Sequence, residues 1–252
     1  MAEYDEFAKY YELEYGHKDN DLDFYLEMAQ NFGGPILEIG VGTGRMAFEL
    51  AAQGYDVQGI DNSLAMLRVA EEKLRDMGKV GSHVKLIHAD MRFFFLGKKF
   101  PLCIIPFRGF LHNLTLDEQM KSLLNIKKHL VQDGFLIFDL FVPLYDVMAK
   151  EVWYDKIEPE ELAEPDSGIT VDVKVEHQPA EQLLTIQNSY IDNKAKSTQI
   201  ARMKYRYIFR YEMEALLRCA GYTVKNVFGG FEKQPYDFKS GIMIFIAQNK
   251  SR

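Results

Sequence analysis

From residue 35 to residue 141 the chain alternates short apolar runs with stretches whose apolar residues recur every three or four positions. The runs at 35–40, 55–61, 84–89, 102–106 and 134–141 read as strands, and the fourth is wholly apolar. Between them, three helices present apolar faces: Met46, Ala47, Leu50 and Ala51; Leu64, Leu67, Ala70 and Leu74; and Met120, Leu123, Leu124 and Leu130. Gly54 ends the first of these helices, while Ser63 and Asp117 stand where N-caps of the other two belong. Strands that are apolar throughout lie in a parallel sheet covered by helices on both faces. Upstream, Tyr4, Phe7, Tyr10, Tyr11 and Tyr15 mark an amphipathic helix over 4–15. Asp19, Asn20 and Asp21 offer caps for a second helix through Leu22, Tyr25, Leu26 and Ala29, which Gly33-Gly34-Pro35 stops.

After residue 142 the period changes to two. Residues 169–177, 182–191 and 198–209 alternate as an antiparallel meander with one buried face, with turns at 179–181 and 192–194. In the last of these strands Arg202, Lys204 and Arg206 share one face and Met203, Tyr205 and Tyr207 the other. That basic row is either a solvated face or a holder for a substrate phosphate or carboxylate. A helix over 211–220 and strands at 222–228 and 242–247 complete the pattern. The organisation is therefore a core of residues 1–142 and 210–252, interrupted by a β insertion at 143–209 that serves as substrate lid or dimer surface.

Composition narrows the function. A chain of 252 residues buries a core without disulfide or metal staples. The net charge of -7 argues against nucleic acid as the main partner. Cys103 and Cys219, the two cysteines, each sit in an apolar context and read as small core residues, and no Cys/His spacing suits a metal. Met1–Glu6 lacks the basic and apolar regions of a signal peptide, and no apolar run reaches the roughly 18 residues of a membrane span. The expected compartment is the cytoplasm.

The chemistry sits in Ile36-Leu37-Glu38-Ile39-Gly40-Val41-Gly42-Thr43-Gly44-Arg45, a strand ending in a glycine turn that opens a helix. Glycines there let backbone approach a ligand at the carboxyl end of a strand, where open α/β sheets bind cofactors. A dinucleotide fingerprint needs its third glycine at position 45, which is Arg, so a nicotinamide oxidoreductase is disfavoured. The Glu-x-Gly-x-Gly-x-Gly spacing resembles motif I of the class I S-adenosylmethionine (SAM)-dependent methyltransferases. That resemblance covers about 35–141 and 210–248. It implies a doubly wound, Rossmann-like seven-stranded sheet whose seventh strand is reversed and inserted beside the sixth. It also implies methyl transfer from SAM, with S-adenosylhomocysteine (SAH) as product and no metal.

The resemblance assigns roles. Gly40, Gly42 and Gly44 form the cofactor turn. Glu38 receives the amino group of the methionine moiety or pairs with a nearby backbone amide. Arg45 pairs with the cofactor carboxylate or faces solvent. Asp61, with Asn62 beside it, lies about twenty residues past the first glycine, where a carboxylate accepts both ribose hydroxyls. Asp90 and Met91 meet the adenine, and Pro106 opens the fourth motif after strand four. Tyr11-Glu12-Leu13-Glu14-Tyr15, Asp90-Met91-Arg92, Leu96–Phe100 and the insertion resemble the N,N-dimethyltransferases of nucleotide-linked amino sugars. The loop Phe107-Arg108-Gly109-Phe110-Leu111-His112-Asn113 departs from them in carrying Arg and His.

For the acceptor side, His112 is a substrate contact, a general base or a structural histidine. Tyr11 and Tyr15 form a lid over the cationic sulfur, with Tyr15 as a catalytic candidate, or pack an aromatic stripe on the core. Arg108, Phe231 and Tyr236 are candidate substrate walls, the last two in a loop at the active-site end of the sheet. The expected enzyme methylates a nitrogen or oxygen of a small-molecule acceptor. The alternatives are an RNA or protein methyltransferase, which would carry a basic groove or an Asn-Pro-Pro-Tyr motif after strand four, and a non-catalytic SAM-binding regulator. Homodimerisation is the other role for the insertion.

Overall fold

A computed structural model describes residues 4–237 and 239–250. Two helices lead, α1 (Tyr4–Tyr15) and α2 (Leu22–Phe32). Then come β1 (Ile36–Ile39), α3 (Arg45–Ala52), β2 (Val57–Asp61), α4 (Leu64–Asp76), β3 (Val84–His88), β4 (Phe100–Ile105), α5 (Leu116–His129) and β5 (Leu130–Phe141). The insertion holds α6 (Tyr145–Met148), β6 (Val152–Ile157), β7 (Ile169–Gln178), β8 (Leu183–Asp192) and β9 (Ser197–Arg206). The chain closes with α7 (Arg210–Cys219), β10 (Tyr222–Phe228) and β11 (Ile242–Asn249). Of the expected signal-free segment, Met1–Glu6, residues 1–3 and the side chains of Tyr4, Asp5 and Glu6 are outside the described residues.

Seven strands form one sheet in the order β10-β11-β5-β4-β1-β2-β3. β1 pairs in parallel with β2 and β4, and β11 runs antiparallel between β5 and β10. The expected reversed final strand is therefore present. Side chains alternate between two covered faces, as period two requires. Leu37, Ile39, Cys103 and Ile105 face Leu123, Ile126, Met213 and Leu217 of α5 and α7. Ile36, Val57, Leu102 and Ile104 face Met28, Ala29, Leu50, Leu67 and Ala70 of α2, α3 and α4.

The insertion is a separate antiparallel sheet, order β6-β7-β8-β9. Its edge strand β6 escapes the sequence reading because Val152, Tyr154, Asp155 and Lys156 are exposed and present little apolar alternation. The buried face of this sheet is covered by α1. Phe7, Tyr10 and Leu13 pack on Val171, Tyr190, Ala201 and Met203. Tyr10 stacks on Tyr190 at 3.8 Å, an arrangement worth about 0.5–1.5 kcal/mol beyond area burial. Glu14, buried in the same seam, accepts bonds from Tyr190 and from Asn188 at 3.0 Å.

Several local expectations are corrected. The N-cap of α5 is Thr115, two residues before Asp117, in a reciprocal capping box with Glu118. Asp21 makes no cap bond. Leu130 begins β5 rather than ending the helix. Ser63 does cap α4, accepting from Met66 at 3.2 Å. Cys103 is buried as expected, but Cys219 is exposed at the end of α7. Of the basic row, Arg206 is taken up by Gln119, Gln182 and Glu212, and so ties the insertion to α5 and α7. Among the described residues no helix is long and apolar enough to cross a membrane.

Candidate active site

The strand order changes direction between β1 and β4, and a cavity of about 260 Å³ opens at the carboxyl ends of β1 to β4. This is where open α/β sheets bind ligands. Gly40, Gly42, Asp61, Asn62, Asp90, Met91, Pro106, Tyr11 and His112 all line it, so the structure gathers most of the expected site. Ile39, Ile60, Met66 and Ala89 add apolar wall.

The turn after β1 needs its glycines. Gly40, Gly42 and Gly44 have φ of 71°, 55° and 90°, values that residues with a Cβ adopt at a cost. Gly44 does not line the cavity; a Cβ there would run into the Phe48 ring, which packs the first turn of α3 against the loop. Asp61 buttresses the turn from β2. Its Oδ2 accepts the Gly42 amide and its Oδ1 the Ser63 amide, both at 2.8 Å. Burial raises its pKa while those amides lower it, with a net upward shift.

Glu38 lies on β1 just before the turn and is not among the residues that line the cavity. It is 2% exposed, and its Oε2 has no hydrogen-bond partner. Burial pushes its carboxyl from 4.5 up to about 8, with Asp21 and Asp61 adding repulsion and Arg45 opposing. Arg45 does not face solvent. Its Nη1 and Nη2 bind the two oxygens of Asp21 at 2.6 Å each, and its side chain is only 17% exposed. It is therefore already committed to a carboxylate of this chain.

At the far end, Asp90 lines the cavity but is engaged by Arg92. Its oxygens accept the Arg92 amide at 2.8 Å and the guanidinium at 2.5–3.1 Å, and Arg92 also pairs with Glu118. Burial acts against the Asp90 carboxylate, yet Arg92 holds its pKa below the usual value. Asn113 donates to the Met91 sulfur at 3.2 Å and accepts from Ser122 at 2.6 Å.

The acceptor-side candidates separate. His112 is half-buried, 4.6 Å from the Tyr205 ring, with the Lys204 backbone as hydrogen-bond partner. Burial lowers its pKa from 6.5 to about 4, so it is neutral at pH 7. Tyr11 lines the cavity and burial raises its pKa. Tyr15 does not line it; its ring meets Phe107 edge-on at 5.1 Å. Arg108 and Phe231 line a second, more open cavity of about 600 Å³, together with Asp21, Asp139 and Gly229–Gly230. Tyr236 lines neither cavity; the Arg210 guanidinium lies over its ring at 5.3 Å.

Two residues escaped the sequence reading. Phe107 lines both cavities. Asp139, in the middle of the apolar run 135–141, is buried and lines the second. The signal for it was a lone acid in a strand expected to be covered on both faces, since a buried carboxylate needs partners.

Residues 36–134 match the sequence model of a methyltransferase domain. An uncharacterised methyltransferase of Geobacillus is 31% identical over 136 residues, which are 54% of this chain and 61% of the relative. The chain spans less than two thirds of the length of the curated relatives it matches. Among solved structures, the CcbJ methyltransferase from Streptomyces caelestis superposes with a TM-score of 0.88 at 21% identity, covering 99% of this chain and 98% of that one. A sugar N-methyltransferase from Streptoalloteichus gives 0.70 at 19% identity, covering 98% and 93%. This chain has the class I methyltransferase fold, and the likeness takes in the inserted sheet.

Proposed function

We propose that this protein transfers the methyl group of SAM to a nitrogen of a small-molecule acceptor. The observation that carries the cofactor reading is Glu38, a buried carboxylate with an unpartnered oxygen directly before the glycine turn. Burial keeps this carboxyl protonated near neutrality, and a cation placed beside it, such as the α-ammonium of SAM, would draw the proton off and pair with the carboxylate. Asp61 fits the other end of the same ligand. The amides of Gly42 and Ser63 fix its carboxylate, and each oxygen retains capacity to accept a ribose hydroxyl. Ile60, Met66, Ala89 and Met91 supply an apolar slot for a purine. Asp90 borders that slot with its lone pairs largely taken by Arg92, so it shapes the adenine end more than it binds there.

When bound, SAM supplies a methyl group on a positively charged sulfur. The chain's own work is to hold that carbon in line with a nucleophile and to exclude water; proximity of this kind supplies roughly 7–11 kcal/mol of a barrier. The Tyr11 and Phe107 rings line the cavity and offer π faces to the cation. His112 favours nitrogen over oxygen as the acceptor atom. A base of pKa about 4 is poorly matched to deprotonating a hydroxyl near neutrality. As a neutral hydrogen-bond acceptor it suits an amine N–H, and a neutral amine attacks without losing its proton first. The sugar N-methyltransferase likeness supports the same class. The insertion and α1 serve as the lid over the acceptor, with Arg108 and Phe231 as outer walls.

Calorimetric titration of SAH into wild type and Asp61→Ala, with NAD as control, tests the reading. Micromolar wild-type binding that weakens about tenfold, ~1.4 kcal/mol, in the variant supports it and justifies a screen of amine acceptors. Preference for NAD, or no binding of SAH, overturns it.

A further inference from the structure

Phe107 stands between the two cavities, and its backbone is in an unusual state. Phe107 and Arg108 have φ of 55° and 65°, the left-handed region that bulky residues avoid. Such a conformation persists only where the surroundings over-determine it. The Gly109 amide donates to the Pro106 carbonyl at 3.3 Å across the turn, and one side chain holds the two amides at its centre. Asp139 of β5 is 2% exposed, and its Oδ1 accepts the Phe107 amide at 2.8 Å while its Oδ2 accepts the Arg108 amide at 3.1 Å. The Tyr25 hydroxyl of α2 donates to Oδ1 at 2.8 Å and fixes the carboxylate from the other side. A buried carboxylate is costly, and this one, near the end of β5, gives two of its bonds to a turn that no sheet ladder supports.

We propose that Asp139 is a positioning residue for methyl transfer: its carboxylate holds the Phe107–Arg108 turn left-handed and so fixes the Phe107 ring as the partition between the cofactor cavity and the acceptor-side cavity. This rests on the cofactor reading given above. The ring is braced on its outer side as well, with Tyr11 at 6.4 Å and Tyr15 at 5.1 Å, both edge-on. Arg45 lies 5.6 Å from its centre. Without the carboxylate, the turn relaxes towards ordinary backbone angles, the ring leaves its place, and the two cavities run together.

The test is spectroscopic. Burial, then repulsion from Asp21, brings the Asp139 carboxyl up to about 6, with Tyr25, Arg108 and the Phe107 amide opposing. The other charged groups around it are Asp21 ahead of α2, Arg108 on the turn, and Glu232 on the facing loop. In ligand-free wild type the amide resonances of Phe107 and Arg108 are expected to move together with a midpoint near pH 6, and that movement is expected to vanish in Asp139→Asn. Tyr25→Phe leaves the turn's two bonds intact but removes a bond that lowers the Asp139 pKa, so its midpoint moves upward; this variant keeps the test open should Asp139→Asn not fold. Asp139→Asn is further expected to bind SAH about fivefold or more weakly, through lost preorganisation. Amides that do not titrate together, or an Asp139→Asn variant that binds SAH as wild type does, overturn the proposal. A wild type that binds no SAH overturns the cofactor reading and this inference with it, whereas loss of the proposal alone leaves wild-type SAH binding in place.

Discussion

Replacing Glu38 by Gln is expected to make the ligand-free protein more stable and its cofactor binding weaker. The carboxyl is shifted from 4.5 to about 8, chiefly by burial. One unit corresponds to about 1.4 kcal/mol, so ionising Glu38 in the folded state costs about 5 kcal/mol relative to the unfolded chain. The sign follows from proton counting. Between pH 4.5 and about 8 the folded protein holds a proton that the unfolded chain has lost, so stability falls as pH rises through that window. Gln has the same shape and no charge, and it removes the slope. Urea unfolding should therefore find variant and wild type alike near pH 5 and the variant more stable by up to about 5 kcal/mol at pH 8.5. Binding reverses the balance, because an ammonium beside Glu38 draws its proton off. At pH 7 wild type should release close to one proton per SAH bound and the variant none, read by calorimetry in two buffers of different ionisation enthalpy. Parallel stability curves from pH 5 to 8.5, or equal proton release, would refute the reasoning.

Three further outcomes follow from described contacts. Arg45→Ala strands the Asp21 carboxylate, whose side chain is 3% exposed, and should cost about 3–5 kcal/mol in denaturant unfolding. The double change Asp21→Asn with Arg45→Met should cost less than the single one, and an equal cost would contradict the stranded charge. His112 sets a second pH dependence, because below 6.5 the unfolded chain takes a proton that the folded site refuses down to about 4. Wild-type stability should thus fall by about 3 kcal/mol as pH drops across that window while His112→Gln lacks this contribution; identical acid profiles would count against a neutral imidazole at this half-buried position. Gly44→Ala combines φ of 90° with a clash on Phe48 and should destabilise by about 2 kcal/mol or more, and an unchanged Tm would argue against the turn as described.

The core was legible because its signals are local. Apolar strands, helix periods and three glycines at alternate positions are properties of ten-residue windows, and they lead to the sheet and to Gly40, Gly42 and Asp61 at its carboxyl edge. What stayed hidden depends on distant pairing. Arg45 at the start of α3 looks like an anion site until Asp21, 24 positions earlier, is seen to occupy it. Tyr236 looks like a wall until Arg210 lies over it. The strand β6 carries too little apolar alternation to announce itself and is found only because β7 pairs with it. Asp139 and the Thr115 cap are different, since both left marks in the sequence: an acid in an apolar strand, and Thr three residues before Glu.

The seam between α1 and the inserted sheet sets an order in time for the newborn chain. Tyr10 and Glu14 dock on Tyr190, and Tyr11 on the same helix lines the cofactor cavity. At ribosomal rates of about 5–20 residues per second, the stretch from the first helix to its docking strand takes roughly 10–35 s to make. Through that interval Phe7, Tyr10 and Leu13 lack the inserted sheet that covers them, while α4, made much earlier, already offers α1 the Lys73 partner of Glu12. The glycine turn and its strands can close first, since their partners are near in sequence, whereas the cavity gains its Tyr11 wall only once the strand carrying Tyr190 has been made.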